Sequence, residues 1–167
     1  LKMEGIQMNT KATRTMQPKV LVVNDDANEL SSLVSGLRLE GFMVSGTTDA
    51  HAALQILSDS DVDYSMVLID LMIPNINGLQ LARKIRSSHP NTRTMLMSDY
   101  ILSPVQLAKA ETGAVGFISK PCHFQDVAGF IKEKLASYFS KGEASSTAST
   151  SANSFTPYDI LSVRYSY

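Results

Sequence analysis

The chain has 167 residues, of which 44% are hydrophobic, so it can bury one core and matches the usual size of a single domain. Fifteen basic and sixteen acidic residues give a net charge of −1, which offers no global attraction to nucleic acid or an anionic membrane. No apolar run approaches the roughly 18 residues of a membrane span. Cys122 is the single cysteine and excludes an intrachain disulfide. We therefore expect a cytoplasmic protein without direct nucleic-acid or membrane binding.

Polar segments flank a more apolar central region. Residues 1–17 show no sustained apolar periodicity, which predicts a flexible leader. Residues 141–167 begin with a Ser/Thr-rich run, which predicts a linker, and end in a short tail that becomes apolar again from Phe155 to Tyr167. Three interpretations of this tail stay open: it docks on the core, it binds a partner, or it derives from a cloning vector. Residues 18–140 form the predicted domain.

Short apolar runs alternate with helical periodicity in the first half of this domain. The run from Val20 to Val23 predicts a first strand that is buried on both faces. The first helix is indicated by apolar residues at helical spacing, Leu30, Leu33, Val34 and Leu37. Gly41 can end this helix in a left-handed conformation. A second strand is predicted near 42–45, and a second helix over 50–57.

The second half of the domain repeats the same alternation three times. Strands are predicted at 66–69, 94–97 and 115–118. The helices that follow them pass through Leu81 and Ile85, through 102–112, and along the apolar stripe from Phe124 to Leu135. This (βα)5 pattern predicts an α/β fold with a doubly wound, parallel, five-stranded sheet in the order 2-1-3-4-5, of the flavodoxin-like class.

Polar residues follow four of the five predicted strands. The first strand ends in Asp25 and Asp26 and the third in Asp70, and these neighbouring strands meet where the strand order reverses, which is where such sheets bind ligands. Three carboxylates in one crevice repel one another unless a cation is bound, and an all-oxygen cluster suits Mg²⁺. Ser98 after the fourth strand and Lys120 after the fifth add a hydroxyl and an ammonium. Together these groups are typical of a phosphoryl-binding site.

With these motifs, residues 18–140 resemble the receiver domain of two-component response regulators, of the chemotaxis-regulator kind. The resemblance rests on four motifs at the ends of four strands: Asp25-Asp26, the segment from Asp70 to Gly78, Ser98, and Lys120-Pro121. The spacings also fit the family, with 44 residues from acidic pair to acceptor and 22 from hydroxyl to lysine. Four motifs in register seldom arise by chance.

The resemblance implies a phosphorylation-dependent signalling switch, and not an enzyme beyond its own phosphorylation and dephosphorylation. Asp70 would be the acceptor, phosphorylated by a sensor histidine kinase, a histidine phosphotransfer protein or a small phosphodonor. Asp26 and Asp70 would bind Mg²⁺ directly together with the backbone carbonyl of Met72. Asp25 would act largely through a bound water.

Three further roles follow from the resemblance. Ser98 would donate to one phosphoryl oxygen and also act as a switch residue. Lys120 would pair with another phosphoryl oxygen and, before phosphorylation, with Asp70. Phe117 occupies the position of the family's aromatic switch residue, which turns inward when the hydroxyl moves, and the bond between Lys120 and Pro121 resembles the family's cis peptide.

The output of the switch is also implied by the resemblance. The family signals through the face of the fourth helix, fifth strand and fifth helix, so we expect a downstream protein or a second copy of the receiver to dock there. The 27 residues from 141 to 167 are too few for a DNA-binding or catalytic output domain. Two possibilities stay open: a stand-alone receiver, or a piece of a longer regulator or hybrid kinase.

One position departs from the family pattern. The residue after the hydroxyl is usually small, but here it is Asp99. Its charge and bulk beside the phosphoryl site lead us to expect slower phosphorylation by anionic donors. Met72 and Tyr100 occupy positions that modulate hydrolysis in the family, so these three residues are the candidate rate-modulating set.

The same residues also have simpler interpretations. Asp26 followed by Glu29 is typical of an N-cap with a capping-box partner, and Asp70 could serve the geometry of the following turn. The others have structural roles available too: Ser98 as a cap of the fourth helix, Lys120 as a solvated surface lysine, and Phe117 as a core residue. Turn and cap preferences do not, however, require acids, a hydroxyl and a lysine at the ends of four strands of one sheet.

Three alternative functions are disfavoured to different degrees. A phosphatase of the haloacid dehalogenase type would carry a second Asp two residues after its nucleophile, where this chain has Met72. A flavodoxin-like flavin carrier would need a Ser, Thr and Gly phosphate loop where the chain has Asn24-Asp25-Asp26, which would repel a phosphate. A pseudo-receiver is an interaction module that has lost phosphorylation. The intact acidic pair, acceptor, hydroxyl and lysine argue against it, and it is the alternative kept for testing.

Overall fold

A computed structural model describes residues 17–61, 63–143 and 162–164. The predicted leader, apart from Gln17, and most of the predicted linker and tail lie outside these residues. The strands are β1 (Lys19–Val23), β2 (Met43–Thr47), β3 (Met66–Asp70), β4 (Arg93–Ser98), β5 (Gly116–Ser119) and β6 (Ser162–Arg164). The helices are α1 (Ala27–Leu39), α2 (Ala50–Asp59), α3 (Gly78–Ser88), α4 (Pro104–Lys109) and α5 (Phe124–Glu143).

The strands form one parallel sheet in the order β2-β1-β3-β4-β5-β6. The first five strands have the predicted order, which confirms the doubly wound α/β fold. The sixth strand was not predicted. It runs parallel to β5 and pairs Gly116 with Ser162 and Ile118 with Arg164. For this part of the tail, the structure therefore favours docking on the domain.

Two apolar layers cover the two faces of the sheet. Alternate residues of each central strand face opposite layers, so Leu21 and Val23 join one layer while Val20 and Val22 join the other. Residues of α2 and α3 fill the first layer, and residues of α1 and α5 fill the second. Because both faces are covered, the central strands are continuous apolar runs, and this is why they are visible in the sequence.

The first helix begins and ends as its sequence predicts. Asp26 is the N-cap of α1, and its carboxylate accepts hydrogen bonds from backbone N–H groups of the first turn. Gly41 follows the C-cap with φ +94°, which confirms the left-handed conformation predicted for this glycine. The structure thus places Asp26, three residues after the end of β1, directly at a helix N-terminus.

The fourth helix is shorter than the predicted 102–112. Ser103 caps it in a reciprocal capping box with Gln106, and Pro104 occupies the first turn, so Leu102 precedes the helix. At the other end Glu111 has φ +50°, outside the right-handed helical region. The apolar spacing extended the prediction, whereas the cap and the left-handed residue set the true limits. By contrast α5 continues to Glu143, into the segment predicted as linker.

None of the helices in the described part of the chain is long and apolar enough to cross a membrane.

Candidate functional site

The polar residues predicted to act together lie at the carboxyl edge of the sheet. The strand register places Val23 beside Ile69, and Asp70 beside Met97. Ser98 lies beside Ser119 at the ends of β4 and β5. Residues that directly follow β1 and β5 therefore border the same crevice as the last residues of β3 and β4, since parallel strands end at one edge.

Asp70 is the last residue of β3, and its side chain is only 5% exposed. Its Oδ1 atom accepts a hydrogen bond from the backbone N–H of Met72 at 2.9 Å. Its Oδ2 atom contacts the Nζ atom of Lys120. The turn role and the predicted pairing are therefore both present, because each uses a different oxygen of the carboxylate.

Gly78 supports the backbone behind this carboxylate. It is the first residue of α3, and its N–H donates to the carbonyl of Leu71 at 3.0 Å. A Cβ atom at this position would lie 2.4 Å from the carbonyl oxygen of Asp70 and 2.7 Å from the Cα of Leu71. The residue is required for the close approach of the loop to β3, a role that its place in the turn motif does not reveal.

Lys120 is held inside the crevice rather than in solvent. Its side chain is 6% exposed, and its Nζ atom contacts both Asp70 and the Oε2 atom of Glu29, the latter at 2.7 Å. Burial favours the neutral amine, but the hydrogen bonds that the ammonium donates to the two carboxylates outweigh it and raise the pKa of Lys120. The interpretation as a solvated surface lysine is therefore wrong. The peptide bond to Pro121 is cis, as the resemblance implied.

Asp25 and Asp26 are both exposed at the start of α1. The Oδ1 atom of Asp26 accepts the backbone N–H groups of Asn28 at 2.8 Å and Glu29 at 2.9 Å. These two N–H groups hold the pKa of the Asp26 carboxyl below its usual value. The N-cap interpretation of Asp26 is confirmed.

The capping-box interpretation of Glu29 is wrong. The backbone N–H of Asp26, which a capping-box partner would accept, donates instead to the Oδ1 atom of Asn24 at 2.9 Å. The carboxylate of Glu29 reaches across the crevice to Lys120. No local spacing signals this contact, because its partners are 91 residues apart.

Ser98 is fully buried at the end of β4. Its Oγ atom accepts the backbone N–H of Tyr100 at 3.0 Å, and its carbonyl accepts the backbone N–H of Lys120 at 2.8 Å. It does not cap α4, since Ser103 does so. The residue thus connects the end of β4 to the segment before α4 and to the backbone of the lysine.

The other predicted residues fall into two environments. Phe117 is fully buried in the apolar layer that contains Leu96 and Leu107, so its role as a core residue is confirmed. The three candidate rate-modulating residues, Met72, Asp99 and Tyr100, are exposed at the mouth of the crevice or just beyond β4.

Burial raises the pKa of the partly buried Cys122 thiol to about 11, which favours an unreactive thiol.

The donor set fits a hard cation chemically. Carboxylates of Asp25, Asp26 and Asp70 and the carbonyl of Met72 supply oxygen only, and Mg²⁺ needs few carboxylates because it retains several waters. Among the described residues, no group of three or more Asp, Glu, His or Cys side chains is arranged so that it could hold a metal ion. Asp26 faces the N-terminus of α1 and Asp70 faces Lys120, so their carboxylates would have to turn toward a shared ion.

Fold and site together define a doubly wound α/β protein with an acidic crevice at its switch point, bordered by a buried lysine and a buried hydroxyl. The family model of the response regulator receiver domain matches residues 20–132. The chain therefore belongs to the response regulator receiver family.

Individual relatives agree with this assignment. The chain is 28% identical over 144 residues to the transcriptional regulatory protein PrrA of Mycobacterium tuberculosis, covering 86% of this chain and 58% of the relative. It is 32% identical over 121 residues to the DNA-binding response regulator MtrA of the same organism, covering 72% and 52%. The chain thus spans about half the length of the curated relatives it matches.

A solved structure also matches the fold. The CheY-like receiver domain protein of Methanospirillum hungatei is 25% identical in sequence and superposes with a TM-score of 0.69. The match covers 75% of this chain and 99% of that protein.

Proposed function

We propose that this receiver domain is a phosphorylation switch in which Asp70 accepts the phosphoryl group with the help of Mg²⁺. The observation that supports it most strongly is the buried Asp70 carboxylate at the end of β3, in contact with the buried ammonium of Lys120. A buried charge pair is costly to keep unless it serves chemistry or is well satisfied. The pair lies where the strand order of the sheet reverses, and ligands of doubly wound folds bind at that position.

The reaction is a phosphoryl transfer. A carboxylate oxygen of Asp70 attacks phosphorus, a new bond between that oxygen and phosphorus forms, and the bond from phosphorus to the donor's leaving group breaks. Asp25, Asp26, Asp70 and the carbonyl of Met72 would hold Mg²⁺, which when bound neutralises charge on the phosphoryl oxygens. The donor would be the phosphohistidine of a kinase or phosphotransfer protein, or a small phosphodonor.

Lys120 and Ser98 complete the binding of the phosphoryl group in this proposal. The ammonium has three donors, so Lys120 can move one of them from the carboxylate of Asp70 to a phosphoryl oxygen. The hydroxyl of Ser98 already accepts the N–H of Tyr100, but its own proton stays available for donation. Both groups would stabilise charge on the phosphoryl oxygens.

The signal would pass from Ser98 into the neighbouring segment and α4. When the hydroxyl turns toward a phosphoryl oxygen, its hydrogen bond to Tyr100 must change, which shifts the segment before α4. Three apolar side chains of this segment and helix are exposed, namely Tyr100 at 63%, Ile101 at 70% and Val105 at 61%. They support the α4 part of the α4-β5-α5 face as the docking surface for a downstream protein or a second receiver, because β6 already pairs with the outer edge of β5.

The test is labelling by a small phosphodonor. Purified protein is incubated with phosphoramidate and Mg²⁺, and the gain of one phosphoryl group is followed by intact-protein mass spectrometry. We expect labelling that disappears in Asp70→Asn and persists in Asp59→Asn, a matched change at the exposed end of α2. Chelation of the metal should also abolish it.

Two outcomes would contradict the proposal. Labelling that persists undiminished in Asp70→Asn would place the acceptor elsewhere. Folded wild-type protein that shows no labelling by either phosphoramidate or a phosphorylated histidine phosphotransfer protein would instead support the pseudo-receiver alternative.

A further inference from the structure

Glu29 occupies a helix position whose usual task is taken by another residue. It is the third residue of α1, where a Glu side chain commonly accepts the backbone N–H of the N-cap. Here the side chain of Asn24, which is fully buried, accepts that N–H from Asp26. The carboxylate of Glu29 is therefore not committed to the cap of its own helix.

That carboxylate instead contacts the lysine of the candidate phosphoryl site. Its Oε2 atom lies 2.7 Å from the Nζ atom of Lys120, which also contacts Asp70. The Glu29 side chain is 32% exposed, whereas the side chains of Lys120 and Asp70 are 6% and 5% exposed. One buried ammonium is thus shared between the acceptor carboxylate and a second, more exposed carboxylate.

This sharing affects what the lysine can offer to an incoming phosphoryl group. One of the three ammonium donors is held by Glu29, and the negative charge of that carboxylate offsets part of the positive charge of Lys120. An anionic phosphodonor is therefore attracted more weakly by Lys120 than it would be by an unshared ammonium. The restraint also opposes movement of Nζ toward phosphoryl oxygens.

We propose that Glu29 is a positioning residue that slows phosphorylation of Asp70 by sharing Lys120 with it. The inference rests on the proposed function, because it assumes that Lys120 binds the phosphoryl group. It assigns to α1 a direct influence on the rate of the switch, through a contact 91 residues apart in the chain.

Two substitutions separate contact from charge. Glu29→Gln keeps the length of the side chain and removes its charge, whereas Glu29→Asp keeps the charge and shortens the reach. We expect both variants to be labelled by subsaturating phosphoramidate about two to five times faster than wild type, the range of one partly exposed ion pair. The matched control is Glu40→Gln at the other end of α1, whose partner is the exposed Lys132 at 2.9 Å, and its rate should equal that of wild type.

A second measurement does not depend on phosphorylation. In protein labelled with ¹⁵N-lysine, the ammonium resonance of Lys120, identified by its loss in Lys120→Arg, should shift in Glu29→Gln and Glu29→Asp but not in Glu40→Gln. A merely structural effect of Glu29 on α1 would change stability without moving this resonance.

The outcomes distinguish the inference from the proposed function. If wild-type protein is not labelled at all, the proposed function fails, while the resonance still reports the contact. An unchanged or slower rate in labelled Glu29→Gln would overturn the inference. So would Glu29→Asp with the wild-type rate beside a faster Glu29→Gln, since charge alone would then explain the effect, or a Lys120 resonance unmoved by both.

Discussion

The crevice at the carboxyl edge of the sheet and the outer edge of β5 are built from different kinds of contact. In the crevice, side chains from distant segments meet, as Asp70 and Glu29 do at the ammonium of Lys120. At the outer edge of β5, backbone pairing joins Gly116–Ile118 to the short strand Ser162–Arg164. The first region depends on residue identity and the second on backbone geometry.

This difference determines which region a sequence can reveal. The proposed phosphoryl site needs particular side chains at particular strand ends, so it leaves a motif in the sequence. An edge strand can pair through N–H and C=O groups that every residue other than proline carries, so its pairing leaves no motif. Substitutions should accordingly have large and specific effects in the crevice and small, local effects at the outer edge.

The largest expected effect is that of Lys120→Met. The change removes the ammonium that contacts Asp70, the proposed acceptor, and keeps most of the apolar volume. Losing one such stabilising group from a reacting site commonly costs about a hundredfold in rate. We expect the rate of phosphoramidate labelling to fall by about that factor. Lys132→Met, which removes an exposed lysine paired with Glu40, is the control and should retain the wild-type rate. A Lys120→Met protein that is labelled at more than half the wild-type rate would contradict the expectation that substitutions in the crevice have large effects.

A smaller effect, on stability rather than chemistry, is expected from Gly78→Ala. The new Cβ would lie 2.4 Å from the carbonyl oxygen of Asp70, so β3 or the start of α3 must shift. We expect a loss of about 1–3 kcal/mol in the free energy of unfolding measured in urea. The control is Gly129→Ala in α5, where nothing lies within 4 Å of the new Cβ, and it should gain up to about 1 kcal/mol. Equal stability changes in the two variants would show that the close approach at β3 is relaxed in solution.

Much of the fold could be predicted from the sequence because its signals are local. The central strands appear as buried apolar runs, and β1 and β3 were placed within one residue of their bounds. The length of α4 was overestimated because apolar spacing continued past its true ends, which depend on the Ser103 cap and the left-handed Glu111. Periodicity shows where a helix is possible, whereas caps decide where it begins and ends.

The contacts of the candidate site also include one that could be predicted from the sequence and one that could not. The pairing of Asp70 with Lys120 was implied by the resemblance, and the two residues are in contact. The contact of Glu29 with Lys120 was missed, because the spacing from Asp26 indicated a capping box. The N–H of Asp26 donates instead to Asn24, two residues before it, and Glu29 contacts a lysine that lies 91 residues away in the chain. The strand β6 was missed because a three-residue segment carries no pattern that specifies its partner.

The smallest expected effect is that of removing β6, and it tests whether changes at the outer edge of β5 have only local effects. In a chain shortened to end at Glu143, the β5 amides that face β6 lose their pairing partner. We expect hydrogen exchange at these amides to rise about tenfold, while amides of the opposite edge strand, β2, keep their rates. Phosphoramidate labelling should change less than twofold, since β6 pairs with β5 through its backbone, on the side of β5 opposite β4. Unchanged exchange in β5 would mean that β6 does not pair in solution. A large change in labelling would mean that the outer edge and the crevice are coupled, and that backbone pairing at β5 controls the chemistry at Asp70.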